Sequence, residues 1–280
     1  DNGSMFLASM GNGLLDTISA PGQARIKVRG SIINVGALSP AIQTGDLVLE
    51  AAGGGIGYVP DDGVNPALVQ PLRISLVSGA TLVARAADNV DIVATGGDIN
   101  VDTVFSRKDV GLTAAASILD AFAGTGLNVL ADNMTLTAQG GSIGLAANPL
   151  DGGVDATGRI SAYAPNGAIH LNGPLGTSFN IAEVAAGDVA RLSADVDMLI
   201  DGPVSAPGQV GLVAGGDIAM TANAAVSAGV IGALVNAGSL TMADGASINV
   251  GVGTIRIVTD GDMRITGIET GNDGVSNMGG

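Results

Sequence analysis

The sequence contains no cysteine and no tryptophan, and aromatic residues make up only 2% of its 280 residues. The absence of cysteine excludes disulfide bonds, thiolate metal sites and cysteine nucleophiles. Globular enzymes of this length usually pack several large aromatic side chains into their cores. The scarcity of aromatics therefore favours a narrow interior in which Val, Ile, Leu and Ala stack in layers.

Positive charge is the second scarcity. Lys and Arg together number 11 against 26 Asp and Glu, which gives a formal net charge of −15. Only three of the acids are Glu and the other 23 are Asp, a residue whose short side chain favours turns and caps. The two lysines and nine arginines are scattered along the sequence. We therefore predict no basic patch and no nucleic-acid partner.

Long apolar runs are also missing. A membrane-spanning helix needs about 20 apolar residues in succession, and the nearest candidate, residues 222–238, is interrupted by Asn223, Ser227 and Asn236. We therefore predict no membrane insertion. The first residues, DNGSMFLASMGNGLL, lack the basic and apolar regions of a signal peptide. If the protein is secreted, we expect its targeting signal to lie outside this chain.

What the sequence does contain is an alternating apolar pattern punctuated by glycine, clearest between residues 204 and 266. Gly216, Gly238, Gly245, Gly253 and Gly261 each precede a short alternating stretch, and the first, second and last are spaced by 22 and 23 residues. A unit this short cannot bury an apolar face alone, so it must stack on its neighbours.

The pattern predicts an all-β fold, a right-handed parallel β-helix (β-solenoid) of about twelve rungs of roughly 20–23 residues. At about 4.8 Å per rung, the rod would be about 55 to 60 Å long.

The chain, residues 1–280, is predicted to be one continuous solenoid. LVLEAAGGGIG (47–57) matches MTLTAQGGSIG (134–144), and residues 101–121 match residues 181–202. These echoes indicate duplicated units at residues 45–125 and 132–202. Internal duplication is how solenoids lengthen. The remaining parts are an irregular segment or first rung (1–24), regular rungs (203–266) and a tail (267–280).

Two proline-containing segments interrupt the pattern. The first contains Pro60, Pro66 and Pro71, and its counterpart in the second unit is residues 148–153. Proline cannot donate a hydrogen bond to a β-ladder, so both segments are predicted to be loops that project from the rod. Such loops are the expected places for partner binding.

One segment permits two interpretations. Residues 109–123 have good helix propensity, with Asp109 where an N-cap would lie. Their counterpart, residues 187–202, alternates Val and Leu with polar residues. We therefore predict two short strands here rather than a helix.

No catalytic or cofactor-binding residue is predicted. The only histidine, His170, lies in a strand-like stretch, where we expect a rung or surface histidine. Asp195 and Asp197 would point the same way on an extended strand, as would Asp260 and Asp262, but turn carboxylates explain them better. Calcium is the candidate ion, because loop carboxylates supply hard oxygen ligands. Its candidate ligands are Asp61, Asp62, Asp151 and Asp155.

Four stretches carry a family resemblance: residues 45–57, 140–150, 187–202 and 213–220 (GDLVLEAAGGGIG, GGSIGLAANPL, GDVARLSADVDMLIDG and VAGGDIAM). They resemble the repeat regions of filamentous-haemagglutinin-like large exoproteins, the β-helical adhesins of bacteria. The resemblance implies a rod on the cell surface or secreted outside the cell. It would act in adhesion, biofilm or extracellular matrix, with a host or neighbouring-cell surface, matrix polysaccharide or other copies of itself as partners.

Three functional hypotheses remain open at this point. The first is a non-catalytic structural or adhesive rod. The second is a subunit that polymerises end to end into an extracellular filament. The third is a polysaccharide-active β-helix enzyme, which is disfavoured because the chain has no Trp and only two Tyr to stack on sugars.

Overall fold

The computed structural model describes residues 3–36, 40–59, 67–122, 126–173, 176–229 and 232–270. In these residues the chain is entirely β, with parallel sheets stacked as a β-solenoid of about twelve turns. The predicted fold class is therefore confirmed. None of the described residues forms a helix that is long and apolar enough to cross a membrane.

Face A is a sheet of 13 strands in the described part of the chain. One strand, β15 (Ile118–Asp120), lies off the main path and pairs with β13. The main path runs in the order β1 (Met5–Ser9), β4 (Ala24–Val28), β7 (Leu47–Ala51), β11 (Thr81–Ala86), β13 (Ile99–Ser106), β16 (Val129–Ala131), β18 (Leu150–Val154), β20 (Ile169–Asn172), β22 (Ala190–Ala194), β25 (Gln209–Ala214), β28 (Gly232–Ala237) and β31 (Thr254–Thr259).

Face B is a sheet of 16 strands in the same described residues. Its main path runs in the order β3 (Ile18–Ala20), β6 (Ile42–Thr44), β10 (Leu72–Leu76), β12 (Val90–Ala94), β14 (Val110–Ala114), β17 (Met134–Ala138), β19 (Ile160–Ala164), β21 (Phe179–Ala186), β23 (Met198–Ile200), β26 (Ile218–Met220), β29 (Leu240–Met242) and β32 (Met263–Arg264). A row that starts from β21 adds β24 (Pro203–Ala206), β27 (Ala225–Ala228), β30 (Ser247–Val250) and β33 (Ile268–Thr270).

Two small pairs complete the described strands. The parallel pair is β2 (Gly13–Leu15) with β5 (Ile32–Asn34), and the antiparallel pair is β8 (Tyr58–Val59) with β9 (Leu68–Val69).

The strand register reproduces the period seen in the sequence. Leu240 pairs with Ile218 and with Met263, which are 22 and 23 residues away. The five turn glycines that mark the period lie just before β26, β29, β30, β31 and β32. The intervals from Gly216 to Gly238 and from Gly238 to Gly261 are therefore each the length of one turn of the solenoid.

The core lies between the faces, because successive side chains of a strand point to opposite sides. In β11, Leu82, Ala84 and Ala86 point inward and are buried, whereas Arg85 points outward. The inward residues of the described rungs form one continuous cluster made almost wholly of Val, Ile, Leu, Ala and Met. Function must therefore reside on the outward side chains, at the corners and at the ends.

The segment with two interpretations forms strands, as predicted. It contributes β14 to face B and β15 to face A, and β14 pairs along its whole length with both β12 and β17. Its inward residues, Val110, Leu112 and Ala114, follow the two-residue period of a strand. The free energy gained by burying this apolar row against both neighbouring rungs outweighs the local helix propensity.

The echoed segments have the same local structure but lie on different faces. The strands β13 and β21 are both eight residues long and have the same sequence of buried and exposed positions. A strand register shift accompanies each of them, opposite β11 and β19 respectively. However, β13 belongs to face A and β21 to face B.

Gly57 and Gly144 mark two places in the described residues where an insertion leaves the rung. Both have positive φ, of 67° and 63°. Each is followed by an insertion, of which the structure describes residues 58–59 and 67–71 after Gly57 and residues 145–149 after Gly144, and the rung resumes at Leu72 and Leu150. Pro60 and Pro66 lie outside the described residues. The prediction of a loop at residues 148–153 is wrong from residue 150 onwards, because Leu150–Val154 forms the buried strand β18. A Cβ at either glycine would lie 2.6 Å from the backbone nitrogen of the resuming leucine. Only glycine fits this close approach in a left-handed conformation.

Candidate functional site

The acids of one corner are used to bind backbone groups of neighbouring rungs. The N–H of Asp217 donates to Oδ1 of Asp197 over 2.9 Å, and the N–H of Ser239 donates to Oδ1 of Asp217 over 2.8 Å. The carboxylate of Asp195 accepts a backbone N–H of the adjacent rung over 2.6 Å. Asp195 and Asp197 lie in a turn after β22, so they hold different backbone groups and do not form a carboxylate pair on one strand.

The candidate calcium ligands do not come together in the described residues. Asp61 and Asp62 lie outside the part of the chain that the structure describes. Asp151 is buried in β18, whereas Asp155 is exposed beside Asp132, which raises the pKa of the Asp155 carboxyl through a hydrogen bond and through charge repulsion. No group of three or more His, Asp or Glu suited to a metal ion occurs in the described ranges. Calcium binding stays a prediction.

Asp151 instead belongs to a polar row that crosses three rungs. Its Oδ1 accepts from Nδ2 of Asn172 over 2.7 Å, and its N–H donates to Oδ1 of Asn128 over 2.8 Å. Nδ2 of Asn128 donates to Oδ1 of Asp120 over 2.7 Å. Burial raises the pKa of Asp151, the Asn172 bond opposes that rise, and the charge of Asp120 adds to it. These hydrogen bonds link the rungs to each other, although Oδ2 of Asp120 is buried without a hydrogen-bond partner.

His170 lies beside a cavity of about 410 Å³ on the outer side of face A. It pairs in register with Arg191, whose guanidinium donates to Oε1 of Gln209 over 3.3 Å. Pro149, from the second inserted loop, covers one side of the cavity. Burial lowers the pKa of His170, and the charge of Arg191 lowers it further while Asp188 raises it. His170 is thus a rung histidine, as expected, although it is almost fully buried.

The structure also brings together cations that are far apart in the sequence. Lys27, Glu50, Arg85 and Phe105 occupy equivalent outward positions on four consecutive rungs of face A, β4, β7, β11 and β13. Lys27 forms an ion pair of 2.7 Å with Glu50, and Arg85 forms no ion pair with any described residue. The row thus carries an unneutralised positive charge.

A second row lies at the ends of the same four strands. It consists of Arg29, Ala52, Ala87 and Arg107, each of which directly follows its strand. Arg29 and Arg107 form no ion pair with a described residue. Between them the two alanines leave space, because the flanking rungs carry long side chains at this position.

Two adjoining cavities occupy this space. The larger, of about 570 Å³, is lined by Glu50, Arg85, Phe105 and Arg107, among others. The smaller, of about 330 Å³, is lined by Lys27 and Arg29 and lies closer to β1. Ala52 lines both. We call the surface formed by the two rows the cationic groove, and define it by Lys27, Arg29, Glu50, Ala52, Arg85, Ala87, Phe105 and Arg107.

The prediction that the arginines form no basic patch is therefore wrong. Arg29 and Arg85 are separated in the sequence by the first inserted loop, residues 58–71, so no simple period connects them. The outward alternation within each strand could have placed Lys27 and Arg85 on the solvent side. It could not have shown that they lie two rungs apart on the same row.

The two ends of the described rod expose apolar side chains. At one end these belong to β1 and the segments beside it, where Phe6 is 66% exposed and Met10 is 79% exposed. At the other end Met263, Ile265 and Ile268 are exposed on or beside β32 and β33. Among the described strands β1 pairs only with β4, and β31 only with β28.

Compared with known proteins, the chain matches no protein-family model, no curated protein and no solved structure.

Proposed function

We propose that this chain is a non-catalytic structural or adhesive segment of a bacterial surface or secreted exoprotein of the filamentous-haemagglutinin-like kind. The observation that carries the proposal is the parallel ladder, which continues over the twelve strands of the main path of face A from β1 to β31. Each rung donates hydrogen bonds to the next, so the ladder resists bending and extension along the rod. A stiff rod of this kind suits a spacer that holds binding modules away from a cell, or a component of a matrix.

The use of the acids supports a structural role over a catalytic one. The corner carboxylates of Asp195, Asp197 and Asp217 are engaged by backbone N–H groups of neighbouring rungs. A carboxylate held in this way links one rung of the ladder to the next. The proposed setting is outside the cell, with a cell surface, matrix polysaccharide or further copies of the chain as partners.

End-to-end assembly is the second candidate function. The observation that favours it is that each end of the described rod combines exposed apolar side chains with the edge of a strand that has one partner among the described strands. Such an edge can add a strand of the next molecule, and burial of Phe6 and Ile268 against another copy would contribute to association.

Negative-stain electron microscopy of the purified chain, with and without millimolar calcium, separates these functions. Isolated short rods support the spacer, whereas filaments with an axial repeat of one rod length assign the function to self-assembly. A Phe6→Glu variant is the matched test of the second outcome, since it should abolish filaments and leave single rods intact. Compact globules would contradict both proposals. Filaments that form only in the presence of calcium would show that end-to-end assembly requires the ion.

A further inference from the structure

We propose that the cationic groove binds a short acidic oligosaccharide whose negative charges are carboxylates. This inference deepens the proposed function, because it gives the rod a ligand class and a place to bind it. Binding in solution can nevertheless be measured whether or not the rod adheres or assembles, so the two proposals can fail separately.

The first argument is charge. The protein is strongly acidic overall, yet Arg29, Arg85 and Arg107 lie around one groove without an ion pair to any described residue. The single acid of the groove, Glu50, is already bonded to Lys27. Arginine presents a planar fork of donors that matches a carboxylate with two parallel hydrogen bonds. The groove is therefore complementary to an anion with more than one carboxylate.

The second argument is shape. Arg29 and Arg107 stand three rungs apart, which is about 14 Å along the rod. Ala52 and Ala87 form the floor between them, and the larger cavity of about 570 Å³ has the size typical of small-molecule sites. Phe105 adds an aromatic surface to the wall. A floor of methyl groups and an aromatic ring suits the C–H face of a sugar ring, with the arginines placed to hold its substituents.

The third argument limits the length of the ligand. The rung that follows Arg107 carries Asp132, and Asp155 lies on the next rung. Lys108 lies within 3.7 Å of Asp132 and compensates that one acid only. A long polyanion, such as a nucleic acid, would extend from the groove over these acids and be repelled. A ligand of a few sugar rings remains within the cationic part.

The binding experiment uses two ligands that differ only in charge. One is a linear tetrasaccharide of uronic acids, and the other is the neutral tetrasaccharide obtained by reducing its carboxylates to hydroxymethyl groups. Titration calorimetry on the whole chain should detect the acidic sugar at low salt, with an affinity that falls as salt is added. The neutral sugar should bind at least about tenfold more weakly, which is the effect of losing one charge-assisted hydrogen bond.

Three variants test the place of binding. Arg85→Gln combined with Arg107→Gln should lower the affinity by about tenfold or more. Ala52→Leu leaves every charge in place but fills the floor, and it should lower the affinity by a comparable factor. Arg256→Gln is the matched control, because Arg256 is an exposed arginine of face A outside the groove. It should change the affinity by less than about twofold.

Four results would overturn the proposal. They are no binding of the acidic sugar, equal binding of the neutral sugar, equal binding of a short polyglutamate peptide, and an affinity for the acidic sugar that the groove variants leave unchanged. If the chain dimerises in a concentration-dependent way and the variant with both Arg85→Gln and Arg107→Gln does not, the groove binds a second copy of the chain instead. Circular dichroism of each variant checks that the β-fold is retained, and none of these results bears on whether the chain is a rod.

Discussion

Asp217 lies one rung after Asp197 at the same corner, and its backbone N–H donates to the carboxylate of Asp197 over 2.9 Å. Two acids of like charge can therefore stack at this corner. Each carboxylate accepts a hydrogen bond from a backbone N–H of the next rung, so the hydrogen bond between rungs joins a side chain to the backbone and not two carboxylates. The same corner uses serine one rung earlier, since Oγ of Ser178 accepts the N–H of Asp197 over 3.3 Å.

This arrangement predicts the effect of shortening the side chain. Asp217→Ala removes the acceptor for the N–H of Ser239 and should lower the free energy of unfolding by about 1 kcal/mol. Asp217→Ser keeps an acceptor oxygen and should restore most of the loss. Urea unfolding followed by circular dichroism measures both. Asp244→Ala, at a side chain that is 90% exposed, is the control and should be nearly neutral. Equal losses in Asp217→Ala and Asp244→Ala would contradict the role of the corner.

Glycine substitutions should separate backbone strain from steric clash. Gly144→Ala introduces a Cβ that lies 2.3 Å from the carbonyl oxygen of His170 and also requires positive φ. It should destabilise the fold by more than about 3 kcal/mol. Gly97→Ala is the matched control, because Gly97 has φ of 73° but open space around it. It should cost only about 1 kcal/mol, the strain of the left-handed conformation. Equal costs would show that the close approach at Gly144 relaxes.

Burial raises the pKa of Asp91 from 3.8 to about 6. The folded chain therefore holds this proton more tightly than the unfolded chain, so the cost of burying the carboxylate is absent below about pH 4 and grows as the pH rises towards 6. Asp91→Asn removes the charge and should stabilise the protein by about 1 kcal/mol near pH 7, after allowance for solvent screening. Near pH 3.5 the gain should vanish, within about 0.3 kcal/mol. Urea midpoints at the two pH values give the comparison, and a gain that is independent of pH would contradict this origin.

His170 is the only histidine, so its imidazole gives a single set of NMR signals. Burial first, and the charge of Arg191 second, lower its pKa below 6.5. The unfolded chain therefore binds the proton more readily, and stability should fall as the pH drops through 6.5. Arg191→Gln should raise the pKa of His170, whereas Arg256→Gln should leave it unchanged. A pKa at or above 6.5 in the native chain would contradict the burial of this ring.

The repeat was readable from the sequence because its signal is local. Each turn glycine from Gly216 to Gly261 lies at a fixed distance from an alternating strand, and stacking then sets the register of Ile218, Leu240 and Met263. Local structure was readable for the same reason. The strands β13 and β21 share their length and pattern of burial, as the sequence echo between them indicates.

Position around the rod was not readable, because it depends on the sum of all the preceding turn and loop lengths. The insertion of residues 58–71 changes the number of residues between successive rungs without changing the rungs themselves. Echoed segments therefore lie on opposite faces. Arg29 and Arg107 lie at the two ends of one groove, and no local sequence pattern indicates this. The chemistry of such a surface depends on register, which the structure supplies.

Small-angle X-ray scattering of the monomeric chain tests the central claim, that the protein is a straight rod of stacked rungs, most directly. About twelve rungs at about 4.8 Å each predict a distance distribution with one short cross-sectional peak and a tail that extends to at least about 55 Å. A symmetric, bell-shaped distribution, typical of a compact globule of this mass, would contradict both the rod and the function proposed for it.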